Sequence, residues 1–148
     1  MSVRRDFPDI PPIWALGVAT LQWLAALLVP LWRFEAGWLG GLLALTGLAL
    51  GVWAGLWFAR KRTTIEPRDT PTTLIVEGPF RINRNPIYTG GALMLLGWGI
   101  WLGALSAVFL AFAFPPVITR RFIRGEEADL RAAFGAEADT YIAATRRW

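Results

Sequence analysis

Residues 78–91, GPFRINRNPIYTGG, set two arginines, two asparagines and Pro86 directly before a 33-residue stretch (87–119) without a charge, with Tyr88 as its second residue. A second polar cluster, Arg124-Gly-Glu126-Glu127, follows that stretch. The guanidiniums of Arg81 and Arg84 present forked donors matched to a carboxylate or phosphate. On a helix, adjacent Glu126 and Glu127 point about 100° apart. One can then pair with an arginine while the other accepts from ribose hydroxyls or an amine. Pro86 fixes the turn that opens the next helix, and Tyr88 falls in its first turn. Together these residues point to a polar ligand held at a membrane surface. The competing account of the arginines is interface anchoring by snorkelling.

Much familiar chemistry is missing. The chain has no Cys and no His. That removes disulfides, thiolate nucleophiles and Cys-based metal sites, together with the commonest general base and metal ligand. No metal site is expected.

The elements that must position the clusters follow from the apolar runs. The 148 residues, 55% of them hydrophobic, suit one domain. Uncharged runs cover 13–32, 38–59 and 87–119. As a single helix the last would be about 50 Å long, against a bilayer core of about 30 Å. Gly103 and Ser106 permit a turn that splits it. The expected architecture is an all-α integral membrane protein with four transmembrane helices at about 13–32, 38–59, 87–101 and 104–118. A cytosolic loop (60–86) and a cytosolic tail (119–148) complete it. The Leu130, Phe134 and Tyr141 spacing predicts an amphipathic tail helix, broken at Gly135. The run after Arg4 and Arg5 is too long for a signal peptide and is read as a retained first span.

Charge placement supports four spans. With four, 14 of the 15 Lys and Arg residues face one side and Arg33 alone the other; with three, the count is 8 against 7. The positive-inside rule therefore predicts a multi-pass protein with both termini cytoplasmic. The net charge of +4 is then a matter of topology and contact with anionic membrane lipids, and nucleic-acid binding is not expected. Gly47, Gly51 and Gly55 predict a bare helix face for close packing. Trp14, Trp32, Trp38 and Trp57 suit the interface, while Trp23, Trp53 and Trp98 are expected to pack helices, with lining a lipophilic cavity as the alternative. The 60–86 loop is expected to cover a site, with a short extended piece at 73–76.

GPFRINRNPIYTGG resembles the R-x-x-R-H-P-x-Y-x-G motif of the isoprenylcysteine carboxyl methyltransferase family, which is related to membrane phospholipid methyltransferases. Glu126, Glu127, Leu130, Phe134, Gly135 and Tyr141 are similar to that family's second motif, with Ala138 at its first Tyr position. Gly97-Trp98-Gly99 resembles a G-x-G element of phospholipid methyltransferases. The resemblance covers about 63–148 and implies an integral-membrane enzyme using S-adenosylmethionine on a lipophilic acceptor. By position it implies Arg84 and Tyr88 as catalytic residues and Arg81, Asn85, Pro86, Glu126 and Glu127 as cofactor-binding residues. Asn85 departs from the motif's His: it keeps a donor and an acceptor but cannot titrate near neutral pH.

The leading expectation is methylation of a lipophilic carboxylate to a methyl ester, because a carboxylate needs no catalytic base. N-methylation of a phospholipid amine is the nearest alternative. An NADPH-dependent membrane reductase and a non-catalytic scaffold are the others.

Overall fold

The computed structural model describes residues 9–63 and 70–148. Arg4, Arg5 and Arg68, which entered the charge count, lie outside the described residues, as does part of the expected loop cover.

Pro11 and Pro12 open α1 (Pro11–Leu28), where their missing N–H groups are not needed by the helix. A second helix, α2 (Gly37–Lys61), stops at Arg62, whose φ of 52° places it in the left-handed region. A short 3-10 turn (Gly78–Arg81) leads to α3 (Pro86–Trp101), again opened by a proline. Past Gly103, whose φ is +65°, the chain reverses into α4 (Leu105–Ala111). From there α5 (Phe114–Ile118), a wider π-type turn (Thr119–Ile123) and α6 (Arg124–Phe134) follow without a reversal. Gly135 (φ 54°) ends that path before α7 (Ala136–Ala144). The described residues contain no strand, only isolated bridges at Arg33–Ala104 and Asn83–Arg146.

Three of these segments are long and apolar enough to cross a membrane: Pro11–Leu28, Gly37–Lys61 and Leu105–Phe134. The expected break in the 87–119 run is present, but α3 has only 16 residues, about 24 Å of helix. The helical path of the last segment runs past 118, on to Phe134. Pro115 and Pro116 cannot donate backbone bonds. The path is eased there by short-range bonds from Phe112 N to Phe109 O and from Ala113 N to Leu110 O, each 3.1 Å. The tail helix thus grows out of the membrane helix instead of starting afresh at Glu126.

Close packing of α2 on α3 uses Gly47 of the expected stripe together with glycines outside it. A Cβ on Gly97 would stand 2.5 Å from Gly40 O, and one on Gly40 would stand 2.5 Å from Trp101 N. Gly47 and Gly90 face each other's carbonyls in the same way. A Cβ on Gly51 or Gly55 would meet nothing within 4 Å. The seam is therefore Gly40/Gly47 against Gly90/Gly97. On the other side of α3, Gln22 of α1 is fully buried and donates to Leu95 O and Ala107 O, both at 2.8 Å, tying three helices together. Trp23 and Trp53 do not pack helices as expected but lie on the outer surface, 48% and 44% exposed, where hydrocarbon can cover them.

Where the long path emerges, Leu95, Phe114, Ile118, Phe122 and Ile123 form the largest buried cluster, with Tyr88 and Trp148 packed against it. The 70–77 stretch forms no strand or helix, and 78–81 is the 3-10 turn. Ile75 and Phe80 nevertheless pack against Ala54 of α2, and Lys61 pairs with Glu77 at 2.6 Å. This places a wall of loop beside the start of α3.

Candidate functional site

A cavity of about 600 Å³ opens where the starts of α1 and α3, the 70–80 stretch and α6 converge. Its polar lining includes Arg84, Asn85, Tyr88, Glu126, Glu127, Asp129 and Tyr141; Pro86, Ile75, Phe80 and Leu130 supply apolar wall. Both polar clusters of the sequence thus meet in one place. Arg81 is different: it ends the 3-10 turn, is exposed, and does not line the cavity.

The two glutamates diverge as neighbours on a helix must. Glu127 is buried, and its Oε1 accepts from Arg84 Nη2 at 3.1 Å. Arg147 forks onto the same carboxylate, from Nε to Oε1 and from Nη2 to Oε2, both at 2.8 Å. The Glu127 carboxylate in turn holds the Arg147 pKa above its ordinary value. Glu126 instead accepts from the Tyr88 hydroxyl at 2.5 Å. That bond joins the first turn of α3 to the first turn of α6 and sets a short phenol–carboxylate pair on the cavity wall.

Arg84 is committed to the protein itself. Besides Glu127, its Nη1 donates to Ile142 O at 2.6 Å and to Thr145 O. Its backbone N–H donates to Arg146 O at 2.7 Å. Asn85 continues the pattern, its Nδ2 donating to Arg147 O at 2.9 Å. Its own N–H is taken by Asn83 Oδ1 at 3.0 Å, a local turn that presents Pro86 to the helix start. Residues 142–148 therefore lie as a strap against the first motif, and Trp148 Nε1 donates to Thr119 Oγ1 at 3.2 Å. The Arg84 Nε is buried without a partner.

Tyr141 closes another side, donating to Phe80 O at 2.8 Å. Burial pushes its pKa up to about 12, so at neutral pH it stays a neutral donor and does not serve as a base. Beside the start of α1, Arg121 stacks over Trp14 at 4.6 Å and pairs with Asp9 at 2.9 Å, pinning α1 to the last helical path.

Sequence reasoning did not single out Asp129 or Arg147. Asp129 was within reach of it, since Glu126, Asp129 and Leu130 follow helical i, i+3, i+4 spacing on one face. Arg147 carried no such signal, because its partner lies 20 residues away across a helix break. The Gly97-Trp98-Gly99 element is not at this cavity: Gly97 serves the α2–α3 seam, and Gly99 faces Ala107 and Gln22.

A second cavity, about 460 Å³ and almost wholly apolar, lies between α1, α2 and α3. It continues the same helix pair one turn further in. The first cavity reaches Pro12 and Tyr88, and the second begins at Ala15 and Gly91.

Comparison with known proteins adds the family. No curated protein and no solved structure gives a significant match. A family model, phospholipid methyltransferase, matches residues 36–137. That segment runs from the start of α2 into α7 and carries both polar clusters. The match covers well over half of the chain, and the protein belongs to the phospholipid methyltransferase family.

Proposed function

We propose that the protein transfers a methyl group from S-adenosylmethionine to an amine on a lipophilic acceptor, at the cytosolic end of the bundle. The carrying observation is the first cavity, where Tyr88–Glu126 and Glu127 face one space at the mouth of an apolar groove.

The lining residues suit the cofactor. A volume of about 600 Å³ falls within the range of cofactor sites, about 300–1,000 Å³. Among the described lining residues one cation, Arg84, stands beside three carboxylates, Glu126, Glu127 and Asp129. Carboxylates of this kind accept from ribose hydroxyls and an ammonium, and their field favours a sulfonium. When bound, S-adenosylmethionine supplies a methyl group already activated by the positive sulfur. Glu127 and Asp129 would hold the cofactor, with Pro86 and Ile75 as apolar wall. The loop wall and Tyr141 would exclude water, so that alignment of the reacting groups does most of the work.

An amine acceptor must shed a proton. The Tyr88–Glu126 pair is the proton acceptor in this reading, with the carboxylate taking the amine's proton and the phenol hydroxyl orienting it. Arg84 would hold the site's backbone and not the acceptor, since both of its Nη atoms are engaged by Ile142, Thr145 and Glu127. The acceptor's hydrocarbon tail would lie in the deeper apolar cavity, reached sideways from the bilayer.

The membrane arrangement belongs to this proposal. Although short, α3 would complete a fourth crossing by tilt or local thinning, leaving both termini and the cavity cytoplasmic. The charge asymmetry of the sequence supports it.

Methylation of a lipophilic carboxylate is the second reading, favoured by the absence of His, because a carboxylate acceptor needs no base. Arg81, Arg84 and Asn85 as direct ligand contacts belong to that reading. Calorimetric binding of S-adenosylhomocysteine to the purified protein, beside a Glu126→Ala/Glu127→Ala variant, tests the site. Binding by the parent and loss in the variant is expected; no binding to folded parent overturns the methyltransferase reading. Labelled product from membrane lipid then separates the acceptors, as an ester releases methanol in base and an N-methyl group does not.

A further inference from the structure

We infer that Arg147 is a positioning residue of the cofactor site, acting through Glu127. The inference rests on the reading of Glu127 as a cofactor contact.

A carboxylate offers about four acceptor positions. Three on Glu127 are filled, one by Arg84 and two by Arg147, so the Oε2 oxygen keeps one for a ligand. Arg84 alone would hold the group by one bond of 3.1 Å to Oε1 and leave it able to turn about that contact. The fork from Arg147 fixes both oxygens in one plane, which a single donor cannot do. Arg147 does not line the cavity, and its side chain is 38% exposed. Its influence on a ligand therefore runs through the carboxylate.

The backbone that delivers this guanidinium is fixed independently of it. Arg84 N holds Arg146 O, Asn85 Nδ2 holds Arg147 O, and Trp148 Nε1 holds Thr119 Oγ1. The first motif therefore places the strap, and the strap places Glu127. Asn85 fits this chain of contacts without any titration, since only an N–H donor is required of it. The strap also lies beyond the segment that matches the family model, 36–137, so the role of Arg147 is assigned from the contacts of this chain alone.

The test is calorimetric titration of S-adenosylhomocysteine into the full chain in detergent, for the parent, Arg147→Ala, Arg147→Lys and Arg146→Ala. Steady-state kinetics on the same proteins complete it. Arg147→Ala should weaken cofactor binding about 10-fold or more, the weight of a charge-assisted contact. Arg147→Lys should recover only part of that, because an ammonium cannot fork. The KM for S-adenosylmethionine should rise while the KM for the acceptor stays unchanged, and Arg146→Ala should bind like the parent. If the parent binds and Arg147→Ala binds equally well, the inference is wrong. If Arg146→Ala weakens binding as much, the strap is merely structural and the positioning role is overturned. A folded parent that does not bind at all defeats the cofactor reading itself, and this inference with it.

Discussion

The α2–α3 seam and the Arg84–Glu127 cluster both join distant parts of the chain, but with opposite materials. In the seam, backbone lies on backbone: Gly40 and Gly47 against Gly90 and Gly97, with no side chain between them. In the cluster, long side chains reach across: Arg84 of the first motif, Glu127 of α6 and Arg147 of the strap meet on one carboxylate. Lipid explains the division. Between membrane helices there is little hydrophobic gain from association, so contact depends on close approach and dispersion. At the membrane edge, water competes for every charge, and a buried ion pair persists only where further bonds satisfy it. Arg84 meets that condition through the carbonyls of Ile142 and Thr145. The seam sets where α3 begins, and the cluster uses that position.

The largest effect is expected in the seam. Gly47→Leu drives a side chain into Gly90 O and the Met94 backbone, which cannot move without parting the helices. Overpacking of this kind costs about 3 kcal/mol or more, and the variant should fail to give monodisperse protein in detergent. Gly55→Ala makes the matched control, since its Cβ meets nothing within 4 Å. It should be neutral or stabilising by up to about 1 kcal/mol in a thermal melt. Equal behaviour of the two would break the distinction between seam and outer face.

Next comes Arg84→Ala. It frees two carbonyls of the strap segment and removes one of two cations from a buried carboxylate. Removing one partner of a buried pair costs about 3 kcal/mol, and turnover should fall by about 100-fold or more with it. The variant separates the two regions. Helix content by circular dichroism should hold, because the seam is untouched, while cofactor binding is lost. A variant that binds normally would show that the cluster is an anchor and not a site.

Tyr88→Phe is gentler. It removes one hydroxyl from the 2.5 Å contact with Glu126 and leaves the ring packed against the core cluster. Stability should change by about 1 kcal/mol or less. Turnover should fall about 10- to 100-fold if the pair carries the proton, with the KM for S-adenosylmethionine little changed. An unchanged turnover number would shift the acceptor reading from amine to carboxylate.

The two regions also differ in how far the sequence disclosed them. Long uncharged runs gave the helices and the turn near Gly103, because bilayer thickness is a hard rule on length. The glycine spacing announced close packing but not its face: Gly47, Gly51 and Gly55 share a stripe, yet Gly40 with Gly47 makes the contact. The angle at which two helices cross decides that, and a one-dimensional repeat does not contain it. In the cluster, Arg84, Tyr88, Glu126 and Glu127 stood out because polar residues beside an apolar run need a reason. Arg147 did not stand out, since cations flanking membrane helices are ordinary. The onward run of the last membrane helix into α6 was hidden for a related reason. A change from apolar to charged composition marks where the bilayer ends, and it does not mark where the helix does.

The smallest effect expected is that of Asn85→His, which restores the residue usual at this place in the resembling motif. What Asn85 supplies in this chain is an N–H donor to Arg147 O at 2.9 Å. A neutral imidazole also has one N–H donor, so the strap contact can be kept without a charge. Binding of S-adenosylhomocysteine should stay within about threefold of the parent at pH 8. Imidazole titrates near pH 6.5 in model peptides, so the variant should gain a pH dependence between about pH 6 and 7 that the parent lacks at this position. Asn85→Leu, which has no donor, should instead resemble Arg147→Ala and weaken cofactor binding. If Asn85→His binds like Asn85→Leu, the requirement at residue 85 is one of shape and the hydrogen bond to the strap is incidental. If it binds like the parent, the cluster needs only the donor, and the missing histidine of this chain is no gap in its chemistry.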